Sequence, residues 1–453
     1  MATDNGSASK APLLLFVAFP LEGHFNPVRI IASHLSKKGY EVAFLATQAM
    51  KSKVEEIGAE WLDFPDHFSA EAIIRMQQVW STCAGFARDT AQIIDLFLDT
   101  LPERVQRLAE VLEILHIRDP SRQIIFVEDI YNLSMLPYKY GRPLPNGLDE
   151  FPKSLGINLS PLFVDSEDTG PSILCLPPDS TMSGKLRNRA LSKLLMEGPL
   201  KPLMDAWINV LKDVGCTHFP QEDFFSAHYA AHQIVIQLCS PSLEYPRSDL
   251  PTSIQFVGVL PRQEIEHFNY PTWWSDVTSS KTEGRKILFV TQGTINLDYS
   301  ELVIPTMKAF DGRDDVLVVV ALGVHGGTLR GNVEVPTNVR ILDYLPYDLI
   351  LEFTDVFVSN AGYGAFTHAI RNGVPTVLAG KTEEKAETTM RAVYAGVGVS
   401  LETQTPTPEK VRAGVEEILR DTNYKTRAIE LKEENIALDA LAGIERRIEE
   451  LID

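Results

Sequence analysis

The chain has 453 residues, which predicts two or three domains at about 150 residues per domain. Hydrophobic residues make up 44% and charged residues 23%, so the composition is that of an ordinary globular protein able to bury large cores. Lys and Arg number 42 against 61 Asp and Glu, and the net charge of −19 argues against nucleic acid and anionic membranes, which select basic proteins.

The first unit of the chain alternates strand, helix and strand. Seven consecutive apolar residues at 13–19 predict a strand that is buried on both faces. Asn26-Pro27 is typical of a helix start, and Lys37-Lys38-Gly39 is typical of a helix end. Residues 42–46 predict the next strand, and such a short βαβ unit implies a parallel sheet.

The rest of the first half is less regular. Residues 68–116 are amphipathic and predict a long helical stretch, and residues 124–127 predict the strand after it. Pro, Gly, Ser and Asp are frequent over 142–184, which predicts an irregular excursion. The remaining elements predicted before residue 260 are helices over 191–214 and strands at 234–239 and 254–257.

A second alternating unit follows a polar, aromatic-containing stretch. We predict a first domain at 1–260, a linker at 261–284, a second domain at 285–430 and a C-terminal crossover helix at 431–453. Thr407-Pro408-Glu409 predicts a capped helix start. The strands predicted in the second domain are 286–290, 316–321, 356–358 and 376–378, and the apolar stripe of the last helix is Leu438, Leu441, Ile444, Ile448 and Leu451.

The predicted fold class is α/β, with two Rossmann-like, doubly wound domains facing a cleft. In open parallel sheets, ligands bind beyond the carboxyl ends of the strands. We therefore expect the chemistry in the loops that directly follow the strands, and we expect the C-terminal helices to pack back toward the first domain.

Cysteine usage and the opening residues bear on location. The four cysteines are scattered without metal-binding spacing, which favours reduced thiols; they are Cys83, Cys175, Cys216 and Cys239. The polar residues 1–10 and the short apolar run after them do not resemble a secretory signal. No window has 18 consecutive apolar residues, so we expect a cytoplasmic protein without a membrane span.

The loop after the first strand carries a candidate base. Gly23 stands alone there, without the glycine pattern of dinucleotide-binding or P-loop proteins, which argues against a dehydrogenase or a common ATPase. His24 follows it, and an imidazole can accept a proton near neutral pH. Glu128 and Asp129 follow another predicted strand, and a carboxylate there could orient the imidazole.

Several short motifs together resemble one family. They are G-H-F-N-P at 23–27, F-V-T-Q-G-T at 289–294, Y-L-P-Y at 344–347, V-S-N-A-G-Y-G at 358–364, G-V-P at 373–375 and G-V-G at 396–398. In this order they resemble the inverting, UDP-sugar-dependent glycosyltransferases of natural products and xenobiotics with GT-B architecture, especially fungal and actinobacterial members. The resemblance implies transfer of a sugar, with UDP-glucose as the expected donor, to a small lipophilic or phenolic acceptor.

The resemblance also implies residue roles. His24 would be the general base and Asp129 its orienting partner. Tyr344 would stack on the nucleobase, the Leu345 backbone would read its edge, and Thr294 would meet the diphosphate. The full set of implied donor-binding residues is Thr294, Tyr344, Leu345, Asn360, Gly362, Tyr363, Gly364, His368, Glu384 and Lys385.

Three positions depart from the family pattern. Asn360 stands where relatives often have a histidine, His368 stands for the ribose-binding glutamate, and Lys385 stands for a glutamine beside the sugar. A histidine cannot accept two hydrogen bonds from a ribose diol, so a thymidine diphosphate donor stays open beside UDP-glucose.

The acceptor site and the alternatives depend on fewer signals. Trp80 and Phe86 are candidate acceptor-binding residues, although the same pattern is typical of a helical core. No metal-binding spacing is present, and we expect no cofactor besides the nucleotide-sugar co-substrate. A nucleotide-sugar epimerase and a noncatalytic sugar-nucleotide-binding protein are the alternatives; the first needs no acceptor pocket, and the second needs no base.

Overall fold

The computed structural model describes residues 11–263, 265, 267–294, 296–329 and 331–453. The first ten residues, which belong to the predicted first domain and to the targeting prediction, lie outside the described residues, as do Glu264 and Glu266 of the predicted linker. The described residues form two parallel sheets, one of seven strands and one of six.

The first sheet has the strand order β3-β2-β1-β4-β5-β6-β7. Its strands are β1 Leu13–Val17, β2 Glu41–Ala46, β3 Glu60–Asp63, β4 Ile124–Asp129, β5 Lys153–Asn158, β6 Ile234–Gln237 and β7 Ile254–Phe256. The helices of this half are α1 Glu22–Lys37, α2 Lys51–Glu55, α3 Ala70–Trp80, α4 Phe86–Ile93, α5 Leu101–Arg118, α6 Leu136–Lys139, α7 Met182–Glu197, α8 Lys201–Asp213 and α9 Phe224–Ala230, with a π-helical turn at Ile94–Leu98. Both faces of the sheet are covered, which explains its continuous apolar strands.

The second sheet has the order β10-β9-β8-β11-β12-β13, so strand order reverses at the same relative place in both sheets. Its strands are β8 Lys286–Thr291, β9 Val316–Ala321, β10 Val339–Leu342, β11 Val356–Ser359, β12 Thr376–Leu378 and β13 Gly398–Ser400. The helices are α10 Trp274–Ser280, α11 Val303–Ala309, α12 Tyr347–Leu351, α13 Tyr363–Asn372, α14 Lys385–Tyr394, α15 Pro408–Arg420, α16 Thr422–Leu438 and α17 Ala440–Glu449. The predicted class of two doubly wound α/β domains is confirmed.

The predicted start of the first helix is wrong. Helix α1 begins at Glu22, because the Leu21 carbonyl already accepts the backbone amides of His24 (3.0 Å) and Phe25 (2.8 Å). Pro27 therefore lies inside the helix, where it cannot donate to the Gly23 carbonyl. As a result His24 belongs to the first turn of a helix and not to a loop.

The segment 142–184, which was predicted to be irregular, contains strand β5, which its composition did not indicate. Strand β5 lies between β4 and β6, and one of its faces carries Ser154, Gly156 and Asn158 in place of apolar side chains. A Cβ on Gly156 would lie 2.6 Å from the His232 ring and 2.7 Å from Ile130, so close packing requires glycine here. The helical stretch at 68–116 is likewise divided, with a break at Gly85, whose φ is +54°.

The C-terminal segment crosses to the first domain, as predicted, but as two helices. Asp439 ends α16 with a φ of +50° and caps α17, so the predicted stripe does not belong to one helix. Helix α17 packs Ile444 and Ile448 into the core of the first sheet. In addition, Gln123 donates to the Leu451 carbonyl at 2.8 Å. The predicted domain boundaries themselves stay a prediction.

This packing makes the C-terminal helix a structural part of the first domain. We expect Ile444→Ala to lower the stability of that domain by about 2–4 kcal/mol, because the side chain is fully buried. The matched control is Ile436→Ala on α16, where 64% of the side chain is exposed and the cost should stay within about 0.5 kcal/mol. Urea unfolding followed by tryptophan fluorescence measures both, and equal effects would contradict the packing.

Candidate active site

A histidine and an aspartate meet at the carboxyl ends of β1 and β4. The Nδ1 atom of His24 lies 2.7 Å from Oδ2 of Asp129. The Asp129 side chain is fully buried, whereas 25% of the His24 side chain is exposed. The Asp129 carboxylate also accepts the backbone amides of Phe19 and Tyr131, each at 3.1 Å. Asp129 is thus fixed in orientation, and in turn it fixes the imidazole, leaving Nε2 as the nitrogen able to take a proton.

The neighbouring carboxylate faces the other side of the sheet, since alternate residues of a strand point in opposite directions. Glu128 Oε1 accepts the Ser134 backbone amide at 2.7 Å and the Asn132 side chain at 2.9 Å. Its Oε2 atom lies 3.3 Å from His232. The structure therefore places Asp129, and not Glu128, beside His24.

Two opposing effects act on the His24 imidazole. Burial lowers the pKa of His24, but the charge and hydrogen bond of Asp129, together with the charge of Glu384, outweigh burial and leave the pKa above its ordinary value. Glu384 belongs to the second half of the chain, so a carboxylate of the second domain acts electrostatically on the candidate base.

Aromatic rings surround the imidazole. His24 lies edge-on to Phe19 (5.4 Å between centroids) and to Tyr131 (5.6 Å). Phe19 in turn contacts Phe68 at 5.0 Å and Phe97 at 4.9 Å. We call these four residues, Phe19, Phe68, Phe97 and Tyr131, the aromatic wall. Phe19 and Phe68 are buried, whereas Phe97 and Tyr131 are half-buried, so the last two rings are the part of the wall that an apolar or aromatic partner beside His24 could contact.

The two predicted acceptor residues lie outside the aromatic wall. Trp80 is buried, and its indole donates to Asp95 at 2.8 Å, which ties α3 to the π-helical turn. Phe86 is the half-buried first residue of α4. Their acceptor role stays a prediction.

In the second domain, the loops after β8 and β11 meet. The Asn360 side chain donates to the Gln292 carbonyl at 2.6 Å and so joins the two loops. Gly293 has a φ of +76°, and the exposed Thr294 follows it. Thr294 and Asn360 are thus brought to one edge of the sheet, at the second point where strand order reverses.

The N-terminus of α13 is open to an anion. Gly362 is the N-cap residue, and a Cβ on Gly364 would meet nothing within 4 Å, so free space adjoins the first turn. The backbone amide of Tyr363 donates to Oε1 of Glu384 at 3.4 Å. A carboxylate therefore already occupies a position that the helix dipole makes favourable for negative charge.

The Tyr363 side chain faces away from that space. Its buried hydroxyl accepts a hydrogen bond from Gln237 of β6 at 3.2 Å, and Gln237 accepts one from Asn158 at 2.5 Å. The side chain thus anchors α13 to the first domain, and only the backbone of Tyr363 adjoins the anion-accepting space.

Tyr344 is half-exposed and stacks on a residue that the sequence did not single out. Its ring lies 4.3 Å from that of His325, at an interplanar angle of 29°. Asp343 joins their loops by accepting the backbone amides of Gly326 (2.6 Å) and Tyr344 (2.8 Å). Leu345 is buried in the core beneath. His325 and Tyr344 together form an aromatic platform. The sequence signal that could have identified His325 is its position shortly after the apolar strand β9.

His368 is bound in a charged cluster. Its Nδ1 lies 3.2 Å from Asp348, and Nη2 of Arg371 lies 2.9 Å from its Nε2 and 2.6 Å from Asp348. Burial lowers the pKa of His368, and the charge of Arg371 lowers it further against the effect of Asp348, so the ring is neutral at pH 7. Both ring nitrogens of His368 are thus engaged by protein groups.

Glu384 and Lys385 stand at the start of α14. Lys385 pairs with Glu383, and its side chain is mostly buried. Burial lowers the pKa of Lys385, but Glu383 and Glu384 raise it above its ordinary value, so the group is cationic. Glu383 is paired with Lys385, whereas Glu384 accepts the Tyr363 amide at the N-terminus of α13. The charge of Glu384 also raises the pKa of His24.

A buried ion cluster fixes α14 against the first domain. Arg391 donates to Glu244 of the β6–β7 connection at 2.8 Å and to Glu387 at 2.7 Å. Glu387 also accepts the backbone amide of Cys175, and Arg391 donates to the Leu162 carbonyl. Since these charges are almost fully buried and mutually paired, the cluster fixes where α14, and hence Glu384, stands relative to His24.

Two features, a metal-binding cluster and a membrane-spanning helix, are absent from the described residues. Those residues contain no group of three His, Cys, Asp or Glu side chains that could hold a metal ion. Within the same residues, none of the helices combines the length and hydropathy that a bilayer-spanning segment requires.

Comparison with known proteins agrees with this architecture. Residues 306–451 match the family described as Erythromycin biosynthesis protein CIII-like, C-terminal domain. The chain is 33% identical over 439 residues to UDP-glucosyltransferase 1 of Beauveria bassiana, covering 96% of this chain and 94% of that one. It is 29% identical over 452 residues to UDP-glucosyltransferase A1 of Starmerella bombicola, covering 98% and 93%.

The fold has solved counterparts as well. The glycosyltransferase of kitacinnamycin superposes with a TM-score of 0.70 at 19% identity, over 98% of this chain and all of that one. Together with two parallel α/β domains and the sequence identity to the Beauveria enzyme, this shows that the chain belongs to the UDP-sugar-dependent glycosyltransferases of GT-B fold.

Proposed function

We propose that this enzyme transfers glucose from UDP-glucose, with inversion, to a hydroxyl of a small lipophilic or phenolic acceptor. The observation that carries the proposal is the 2.7 Å contact between His24 and the buried Asp129, beside the aromatic wall and opposite Glu384. The names of the relatives as UDP-glucosyltransferases support glucose as the sugar.

The proposed reaction is a single displacement. Nε2 of His24 takes the proton of the acceptor hydroxyl as its oxygen forms a bond to the anomeric carbon. The bond from that carbon to the diphosphate breaks, and UDP leaves with the electron pair. Asp129 stabilises the imidazolium that forms. One displacement inverts the anomeric centre, so an α-linked donor gives a β-glucoside.

The donor would lie along the second sheet. Its base would stack on Tyr344 beside the Leu345 backbone, and its diphosphate would meet Thr294 and the first turn of α13. Amides and the helix dipole would then balance the diphosphate charge without a metal ion. The residues proposed to complete this site are Asn360, Gly362, Tyr363, Gly364, His368, Glu384 and Lys385.

One backbone amide adjoins both Glu384 and the proposed diphosphate position. Glu384 now accepts the Tyr363 amide, where the diphosphate would bind. When the diphosphate takes that amide, the Glu384 carboxylate is free for the sugar hydroxyls, beside Lys385. The acceptor would lie against the aromatic wall, within reach of His24.

The base assignment predicts a large loss of turnover. We expect His24→Ala to lower kcat by roughly 10²–10⁴-fold, the scale of general-base catalysis, while UDP binding is retained. His34→Ala is the matched control: His34 lies on α1 like His24, but its imidazole pairs with Glu445 of α17, so the variant should keep near-normal turnover. A His24→Ala enzyme with normal transfer to an ordinary hydroxyl acceptor would remove His24 from the mechanism.

The sugar-site assignment predicts a selective loss of affinity. Glu384→Ala should weaken UDP-glucose binding by roughly 10- to 150-fold, since a charge-assisted hydrogen bond contributes about 1.5–3 kcal/mol. Free UDP should bind without loss, because the carboxylate would contact the sugar and not the diphosphate, and its removal leaves the Tyr363 amide free for the diphosphate. Calorimetric titration with both ligands decides this, and equal weakening toward the two would place Glu384 away from the sugar.

A further inference from the structure

A fully buried guanidinium lies behind the proposed base. Arg104 of α5 has 0% of its surface exposed. It donates to three backbone carbonyls, those of Asn132, Phe97 (2.5 Å) and Thr100 (3.4 Å). Its Cζ atom lies 5.3 Å from the centroid of the Phe19 ring. Among the residues that the structure describes, no carboxylate is hydrogen-bonded to Arg104, and burying a cation without such a partner is costly, so its position calls for a reason.

The contacts of Arg104 converge on the surroundings of His24. Phe19 lies edge-on to the imidazole, and its amide donates to Asp129. Phe97 contacts Phe19 and Tyr131 in the aromatic wall. The backbone amide of Asn132 donates to the Asp129 carbonyl at 2.8 Å, in the turn that carries Tyr131. One side chain therefore holds three segments that shape the base and the wall.

Arg104 also balances charge at this place. Glu128 and Asp129 are adjacent in sequence and both buried, and both interact electrostatically with the guanidinium. Burial lowers the pKa of Arg104 to about 9, against the opposing charges of these two carboxylates, so the group is cationic at neutral pH.

Other ionisable groups near the dyad are accounted for as follows. Burial lowers the pKa of His228 to about 3, so its ring is neutral. The groups that contact or act electrostatically on His24 and Asp129 are Tyr131, His228 and Arg104 from the first domain and Glu384 from the second, whereas Glu128 and its partner His232 lie on the other side of β4. Among these described neighbours, Arg104 is the permanent cation.

We propose that Arg104 is a positioning residue of the transfer reaction, which holds the aromatic wall in place and offsets the carboxylate charge behind His24. The proposal deepens the function proposed above and rests on it. Removing the cation leaves the dyad more negative, so His24 should hold its proton to higher pH. Removing the N–H groups of the guanidinium should make the aromatic wall less rigid. Binding of the acceptor should then be weakened more than binding of the nucleotide sugar.

Three variants separate these effects. Arg104→Met removes both the positive charge and the planar set of guanidinium N–H groups. Arg104→Lys keeps the charge but not the guanidinium, and Glu128→Gln removes a negative charge that faces Arg104. The midpoint of His24 is measured by NMR in protein with ¹³C-labelled histidine, its resonance being assigned by its loss in His24→Gln. Acceptor KM, the pH profile of kcat/KM and UDP affinity are measured in parallel.

We expect Arg104→Met to move the His24 midpoint and the acid limb of kcat/KM to higher pH, and Glu128→Gln to move both to lower pH. Arg104→Lys should keep the wild-type midpoint. Both Arg104 variants should raise acceptor KM roughly tenfold or less, the scale of one lost hydrogen bond, with UDP affinity unchanged. Opposite shifts from opposite charges are not expected of a residue that only stabilises the fold.

An unmoved His24 midpoint in Arg104→Met and Glu128→Gln would overturn the proposal, and so would equal losses of UDP and acceptor binding. If Arg104→Met does not fold, the Arg104→Lys and Glu128→Gln results decide by the same criteria. A shifted midpoint together with an active His24→Ala would sink only the base assignment. An inactive His24→Ala together with an unmoved midpoint would sink only the role of Arg104.

Discussion

The parallel pairing of β1 with β4 is the constraint on which the site depends. Val17 is in register with Glu128, so the segments after the two strands emerge side by side although more than a hundred residues separate them. Because strand order reverses here, the connections diverge and leave a crevice. His24 and Asp129 meet in it. The pairing of β8 with β11 repeats the arrangement in the second sheet, where Asn360 reaches the Gln292 carbonyl.

The proposed site residues of the first and second domains can act together only if the two domains keep a fixed position relative to each other. Helix α17 supplies part of that relation through apolar packing, and the Arg391 cluster supplies another part through buried, paired charges. The cluster lies on the helix that begins next to Glu384, so the donor side is anchored close to its proposed sugar contact. The hydrogen bond between Gln237 and Tyr363 anchors α13 in the same way. Hydrogen bonds and ion pairs require specific distances and angles, so these contacts fix the relative position of the two domains more closely than apolar packing alone would.

The parts of the fold that sequence predicted well are those with one dominant physical signal. Strands buried on both faces are continuous apolar runs, and His24 and Asp129 became candidates because they lie in the short segments after such runs; their catalytic roles stay predictions. Strand β5 was missed because one of its faces is polar and packs by hydrogen bonds and close approach at Gly156. The start of α1 was misplaced because Pro27 is tolerated inside the helix. Arg104 has no local signal, because the contacts that link it to the base region, those with Phe19 and Asn132, come from distant segments.

The central claim is that His24, oriented by Asp129, removes the acceptor proton. The pH dependence of kcat/KM for wild type and Asp129→Asn tests it most directly. The base must be neutral to act, so activity rises with pH through the pKa of His24, which Asp129 holds above its ordinary value. Loss of the carboxylate charge should move this acid limb to lower pH, with a plateau below wild type but above that of His24→Ala. An acid limb that stays where it is in wild type would contradict the account.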